Sequence, residues 1–305
     1  MRWTHVSPSR GRKAAAEFTR KDAFLPERVI AMPANSVIVW SDGRWNPIRG
    51  CSKISPGCKT CRAESYAERF RDPACNQVDE IADVQLVPQN LLKPLQWRRT
   101  SDIIFVSSMG DFFHQEVPDH FIVAAFEVMS RVDWHSYLIL TKRADRMRMM
   151  IESELQFAAK LDHIWWGVSV EDKKHGLPCI EALRNADVAK RFLSIESLLE
   201  DLGTINLDGI DWVVVGEKRG PKARPIEADW VFSLRDQCVA AKVPFFYNIW
   251  GRLPRDVMQY PYAPPFPSHA YLLGDKEDKV PPSFAERSVI RADLRSSFHD
   301  KGIVA

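Results

Sequence analysis

The sequence predicts an α/β protein built on parallel strands, arranged either as a (β/α) barrel or as an open doubly wound sheet. Three observations carry this expectation. Short apolar runs recur along the chain, amphipathic stretches of helical length separate them, and the alternation repeats about six times, as β-α units do.

The apolar runs are Val37–Trp40, Ile103–Ser107, Ser136–Thr141, Ile164–Val170, Arg191–Ile195, Trp212–Val215 and Pro244–Tyr247. They are β-branched or aromatic and nearly continuous, the pattern of strands covered on both faces. Helices are expected over Cys61–Phe70, Pro118–Arg131, Arg143–Ala158, Lys173–Asn185 and Glu227–Lys242. Pro118 suits a first helical position, and Phe121, Ala125 and Val128 then share one face. The chain divides into a basic leader (1–35), a β/α core with a cysteine loop (36–256) and a proline-rich, charged C-terminal extension (257–305) that wraps the core or hangs from it.

Composition narrows the class. The 305 residues are 45% hydrophobic and 27% charged, ordinary for a globular protein. No apolar run reaches the roughly 18 residues of a membrane helix. The N-terminal segment MRWTHVSPSRGRKAAAEF lacks the apolar stretch of a secretory signal, so a cytoplasmic location with reduced thiols is expected. The net charge of +2 does not point to nucleic acid by itself. Basic residues do gather at Arg2, Arg10, Arg12, Lys13, Arg20 and Lys21, as a solvated tail or a phosphate-contacting arm.

In a reducing compartment, clustered cysteines read as metal or redox ligands before they read as disulfides. Cys51, Cys58 and Cys61 fall within WNPIRGCSKISPGCKTC, the last two as a C-x-x-C pair, with Pro47, Gly50, Pro56 and Gly57 supplying turns. Cys75, Cys179 and Cys238 are scattered and read as packing or surface residues. Three thiolates without a fourth leave three readings open. One is a four-iron cluster with one open iron, another is a zinc site closed by His114, and the last is no metal.

Ligands of parallel α/β proteins sit at the carboxyl ends of the strands. Here the strands end in Ser107, Ser108 and Asp111, then Thr141, Lys142 and Arg143, then Ser169, Glu171 and Asp172, then Ser194 and Glu196, and last Glu217, Lys218 and Arg219. Five apolar strands ending in polar groups describe one pocket.

The cysteine loop, followed by a helix on the first β/α connection, resembles the radical S-adenosylmethionine (SAM) superfamily. More closely, the chain resembles a related phage- and prophage-associated branch with the signature WNP-x-x-G-C-x6-C-x2-C. The likeness runs from about Trp40 to Gly251, through FVSSMGDFFHQEVP, LILTKRADRM, WWGVSVED, KRFLSIESLL, DWVVVGEKRGPKARP and VPFFYNIWG. It implies a partial, radical-SAM-like (β/α) barrel (a TIM barrel in outline) with irregular extensions at both ends. It also implies a [4Fe-4S] cluster on Cys51, Cys58 and Cys61 that reductively cleaves SAM to a 5′-deoxyadenosyl radical, which takes hydrogen from the substrate. The electron comes from an external donor, and the protein supplies orientation and a water-poor pocket.

On this resemblance Ser108 and Asp111 are candidates for the methionine moiety, and Ser169 and Glu171 for the ribose hydroxyls. Lys142, Arg143, Glu196 and Glu217 form the candidate catalytic set. The two cations suit a phosphate or carboxylate of an anionic substrate, with nucleic acid or a nucleotide as its class. Three positions depart from the family pattern: Arg62 replaces an aromatic after the last cysteine, Lys218 takes an acid's place with Glu217 one residue early, and Tyr247 stands where lysine is common. A one-residue offset in a strand turns the side chain to the other face, so Glu217 is no simple substitute. Two competing functions stay open: a zinc-stabilised nucleic-acid-binding protein, and an iron–sulfur nucleic-acid-binding protein without SAM chemistry.

Overall fold

The computed structural model describes residues 41, 43–61, 84–97, 103–216, 226–248 and 284–303. The chain divides into two compact units, Met1–Ala34 and Asn35–Ala305, and everything described belongs to the second. The expected leader, the run Val37–Trp40, the helix after Cys61 with Arg62, Cys75, and the block from Glu217 to Arg224 lie outside the described residues.

Seven strands form one parallel sheet: β1 (Gly43–Trp45), β4 (Ile103–Val106), β5 (Ser136–Thr141), β6 (Ile164–Ser169), β7 (Lys190–Glu196), β8 (Trp212–Gly216) and β9 (Phe245–Asn248). The short β2 (Ile48–Arg49) and β3 (Gln85–Leu86) pair antiparallel beside it. The order β1-β4-β5-β6-β7-β8-β9 follows the chain in one direction throughout. A doubly wound sheet reverses its order at a switch point, so this sheet is singly wound. Right-handed crossovers that always advance the same way place every connecting helix on one face.

Side-chain alternation agrees with that inference. Ile104, Val106, Ile139, Trp166, Val168, Leu193, Ile195, Val213 and Val215 join the helices in the main core. Their neighbours Ile103, Phe105, Leu138, Trp165, Phe192, Trp212, Val214 and Phe246 form a separate apolar layer on the opposite face. The sheet curls around this inner layer as a half-barrel. β1 and β9 are its edges among the described residues, so the closed eight-stranded ring of a TIM barrel is not formed by them. The inner layer is packed solid. Phe192 lies over Gly167, where a Cβ would come within 2.2 Å of its ring. Trp212 tilts against Phe192 at 6.0 Å. Ligand space therefore begins only above this floor, at the strand ends.

The helices are α1 (Asp119–Arg131), α2 (Ala144–Glu152), α3 (Gln156–Ala159), α4 (Lys173–Arg184), α5 (Ala228–Ala241) and α6 (Phe284–Asp300). Phe121, Ala125 and Val128 are buried as their spacing requires, and Phe126 of α1 stacks on Trp166 of β6 at 4.9 Å. Pro118 is not the first helical residue. Its ψ of 139° is extended, and its carbonyl accepts from Phe121 N and Ile122 N, so it caps the helix from outside. The single helix expected over Arg143–Ala158 is two, because the backbone leaves helical dihedrals at Ser153 (φ −122°, ψ −99°), whose amide donates to the Met150 carbonyl at 3.2 Å.

The C-terminal extension ends in a helix that the sequence reading missed. Leu294 and Phe298 of α6, with Ile303 just beyond it, are buried. Lys301 pairs with Glu127 of α1 at 2.6 Å, and Arg131 pairs with Asp293 at 3.6 Å. Among the described residues no helix is long and apolar enough to cross a membrane.

Candidate metal centre

The cysteine loop is braced before any cysteine is reached. Trp45 fills the core and donates from Nε1 to the Asn90 carbonyl at 2.7 Å. Asn46 Oδ1 accepts from Ser108 Oγ and Met109 N, both at 3.2 Å, tying the loop after β1 to the loop after β4. The Pro47 carbonyl accepts from Val87 N at 2.8 Å. Gly50 takes a φ of 86°, which glycine adopts without strain, and bridges in parallel to Gly110. The WNP-x-x-G block is thus a scaffold that delivers Cys51 to the carboxyl end of β4.

Cys51, Cys58 and Cys61 are half-buried and form no disulfide with one another. Cys58 lies in a short 3-10 turn, Pro56–Thr60, and Cys61 N donates to its carbonyl at 3.2 Å. Two consecutive cations leave the end of β5 and approach this loop. Lys142 Nζ donates to Ser55 Oγ at 2.8 Å and to Cys58 Sγ at 3.4 Å, and it pairs with Glu171. Arg143 Nη1 donates to Cys51 Sγ at 3.5 Å and to Asp111 Oδ2 at 2.8 Å, while Nη2 reaches Ser52 Oγ at 2.8 Å.

Both carboxylates are buried and fully engaged. Asp111 accepts from Thr141 Oγ1 at 2.6 Å, Phe113 N at 2.9 Å and Lys142 N at 3.3 Å, besides Arg143. Glu171 accepts from Ser55 Oγ at 2.8 Å and Gly57 N at 3.1 Å, besides Lys142. Serines at 52 and 55 therefore link each cation to the loop. They were not legible as site residues, because their role depends on β5 arriving beside them.

Electrostatics separates the thiols. Burial pushes the Cys51 thiol up and Asp111 adds to this, with Arg143 opposing them. Burial would also raise Cys58, but hydrogen bonds from Ser55 and the Ile54 backbone, together with the Lys142 charge, bring it below its ordinary value. Burial acts against the charge on Lys142 and Arg143. Glu171 for the first and Asp111 for the second overcome it, so both cations are held charged.

The remaining expected residues fall around this core. Ser169 and Ser194 are paired in register and stand on the inner face, two residues beyond Gly167 and Phe192. Glu196 ends β7 opposite Gly216. Ser107, with φ of 55°, is buried at the end of β4, and its hydroxyl has no partner among the described residues. Ser108 is tied to Asn46, as above. Glu217 lies outside the described residues. Cys179 sits on α4, 3.8 Å from the Lys142 carbonyl, and Cys238 is buried in α5.

His114 is fully buried, with Nε2 against Ser52 Oγ at 2.7 Å and Nδ1 accepting from Glu116 N at 3.2 Å. Burial, with the Arg143 charge nearby, lowers its pKa. Both ring nitrogens are thus engaged by protein groups. Among the described residues no three or more His, Cys, Asp or Glu side chains are arranged to hold one metal ion. A mononuclear zinc needs its ligands to converge on one point. A four-iron cluster takes one cysteine per iron, so its thiolates surround a body instead. Three half-buried cysteines, two of them with a cation at the sulfur, fit such a cluster chemically.

A family described as "Protein of unknown function (DUF5131)" matches residues 35–280. No curated protein matches the chain. Among solved structures, a spore photoproduct lyase mutant is similar at 9% identity and a TM-score of 0.39, covering 72% of this chain and 80% of that one.

Proposed function

The chain belongs to the DUF5131 family, and on that premise we propose that it is a radical SAM enzyme of the phage-associated, three-cysteine branch. The observation that carries the reading is the seating of Cys51, Cys58 and Cys61. They are half-buried on a loop pinned by Asn46 and Gly50 to the carboxyl edge of a singly wound parallel sheet. Cys51, Cys58 and Cys61 would hold the [4Fe-4S] cluster, whose open iron would bind SAM and supply the electron that cleaves it.

The chain's own residues would bind and orient. Ser169, Ser194 and Glu196 stand at the polar end of the inner face, above the aromatic floor. Ser169 with Glu171 suits the ribose hydroxyls, and Glu171 must then exchange its hold on Ser55 and Gly57 for the ligand. The buried Ser107 hydroxyl, without a partner among the described residues, offers a further donor at the end of β4. Asp111 and Ser108, proposed for the methionine moiety, are tied to the scaffold as Glu171 is and would need the same exchange of partners. The floor of Phe192, Trp212 and Trp165 excludes water from below. The substrate is anionic, a nucleic acid or nucleotide, with the basic run from Lys218 to Arg224 as its candidate contact. An external donor supplies the electron.

Incubating the reduced, reconstituted protein with SAM tests the reading. Formation of 5′-deoxyadenosine and methionine is expected, with loss of both in Cys58→Ala. Protein that carries an intact cluster yet neither binds nor cleaves SAM would leave an iron–sulfur binding protein instead.

A further inference from the structure

We infer that Lys142 and Arg143 are positioning residues for the cysteine thiolates, each with its own buried carboxylate, and that together they set the reduction potential of the cluster. This rests on the cluster reading above and deepens it. Lys142 and Arg143, at the bend between β5 and α2, reach two points of one loop: Cys58 Sγ at 3.4 Å and Cys51 Sγ at 3.5 Å.

The arrangement repeats itself. Each cation donates to a cysteine sulfur, to the hydroxyl of a nearby serine at 2.8 Å, and to a buried carboxylate. Glu171 and Asp111 have side chains only 6% and 7% exposed, and the cations are 22% and 13% exposed. These groups interact in a low-dielectric setting, where a charge near a sulfur is weakly screened. A substrate anion at the same cations would have to displace Asp111 and Glu171, leaving a buried carboxylate unpaired at high cost. Holding thiolates is the role their geometry supports.

The consequence has a definite sign. Reduction adds a negative charge to the cluster, and hydrogen bonds or positive charge at its sulfurs favour the reduced form. Removing a cation should shift the potential to more negative values. Neutralising its carboxylate while keeping the cation should shift it to more positive ones. A purely structural brace would give no such pair of opposed shifts.

The experiment is a potentiometric titration of the reconstituted full-length protein, followed by its electron paramagnetic resonance signal, without SAM. Lys142→Met and Arg143→Gln are expected to shift the midpoint negative, Glu171→Gln positive, and Lys142→Arg to restore most of the wild-type value. If Lys142→Met does not retain a cluster, the sign of the Glu171→Gln shift decides. An unchanged or negative midpoint in Glu171→Gln, or unchanged midpoints in both cation variants, overturns the inference while the cluster reading stands. A wild-type chain that assembles no cluster overturns both.

Discussion

Gly57 and Glu171 are locked together across the site: the Gly57 amide donates to the carboxylate at 3.1 Å, and a Cβ on Gly57 would lie 2.0 Å from Oε1. The contact joins the cysteine loop to the end of β6. Glycine is required here by space, since any side chain would meet a buried carboxylate that three donors already hold. Gly57→Ala is expected to cost about 1–3 kcal/mol through overpacking. In a Glu171→Ala background the same change should cost close to nothing, which a double-mutant cycle on urea unfolding reads directly. Additive costs would show that the two residues do not touch as described.

Stability should fall in mild acid because of His135. It is 1% exposed in an aromatic setting with Trp97, Trp134 and Tyr137, and burial pushes its pKa down to about 4, offset only in part by the Pro94 carbonyl. The unfolded chain binds this proton below its ordinary pKa of about 6.5, whereas the folded chain refuses it until about 4. The unfolded state therefore holds more protons in that window, and stability decreases as pH falls through it. The single-site effect is about 3 kcal/mol at the low end. Urea midpoints between about pH 7 and pH 4.5 should fall less in His135→Leu than in wild type. An identical slope in the variant would assign the acid sensitivity to other groups.

The C-terminal helix should be part of the cooperative fold. Phe298 is fully buried, and Leu294 and Ile303 are nearly so. Phe298→Ala is expected to cost about 3–4 kcal/mol in urea unfolding by cavity formation. A cost below about 1 kcal/mol would mean that α6 does not pack on α1 in solution.

The strands were legible because they are buried on both faces. Trp212–Gly216 or Ile164–Ser169 can be read from continuous apolar character alone, and their bounds fall within one or two residues of the apolar runs. β1 was not, since GRW is three residues of an edge strand with no apolar run of its own. Helix α6 was missed because its sequence, FAERSVIRADLRSSFHD, follows a proline-rich stretch and mixes charge around most of its circumference. That strand-end polar residues share a pocket followed from the parallel architecture. Which of them touch did not follow. The reach of Lys142 to Cys58 and of Arg143 to Cys51 spans 84 and 92 residues, and depends on how β5 sits beside the loop after β1. For the same reason Lys142 and Arg143, read from sequence as substrate contacts, are found engaged with cysteines and carboxylates.

The central claim is that Cys51, Cys58 and Cys61 carry a cluster and not a single ion. Iron, acid-labile sulfide and zinc per chain, measured on anaerobically purified and reconstituted protein, test it most directly. About four iron and four sulfide are expected in wild type, with near-complete loss when all three cysteines are changed to alanine. A colourless protein holding about one zinc per chain through the same cysteines would contradict it.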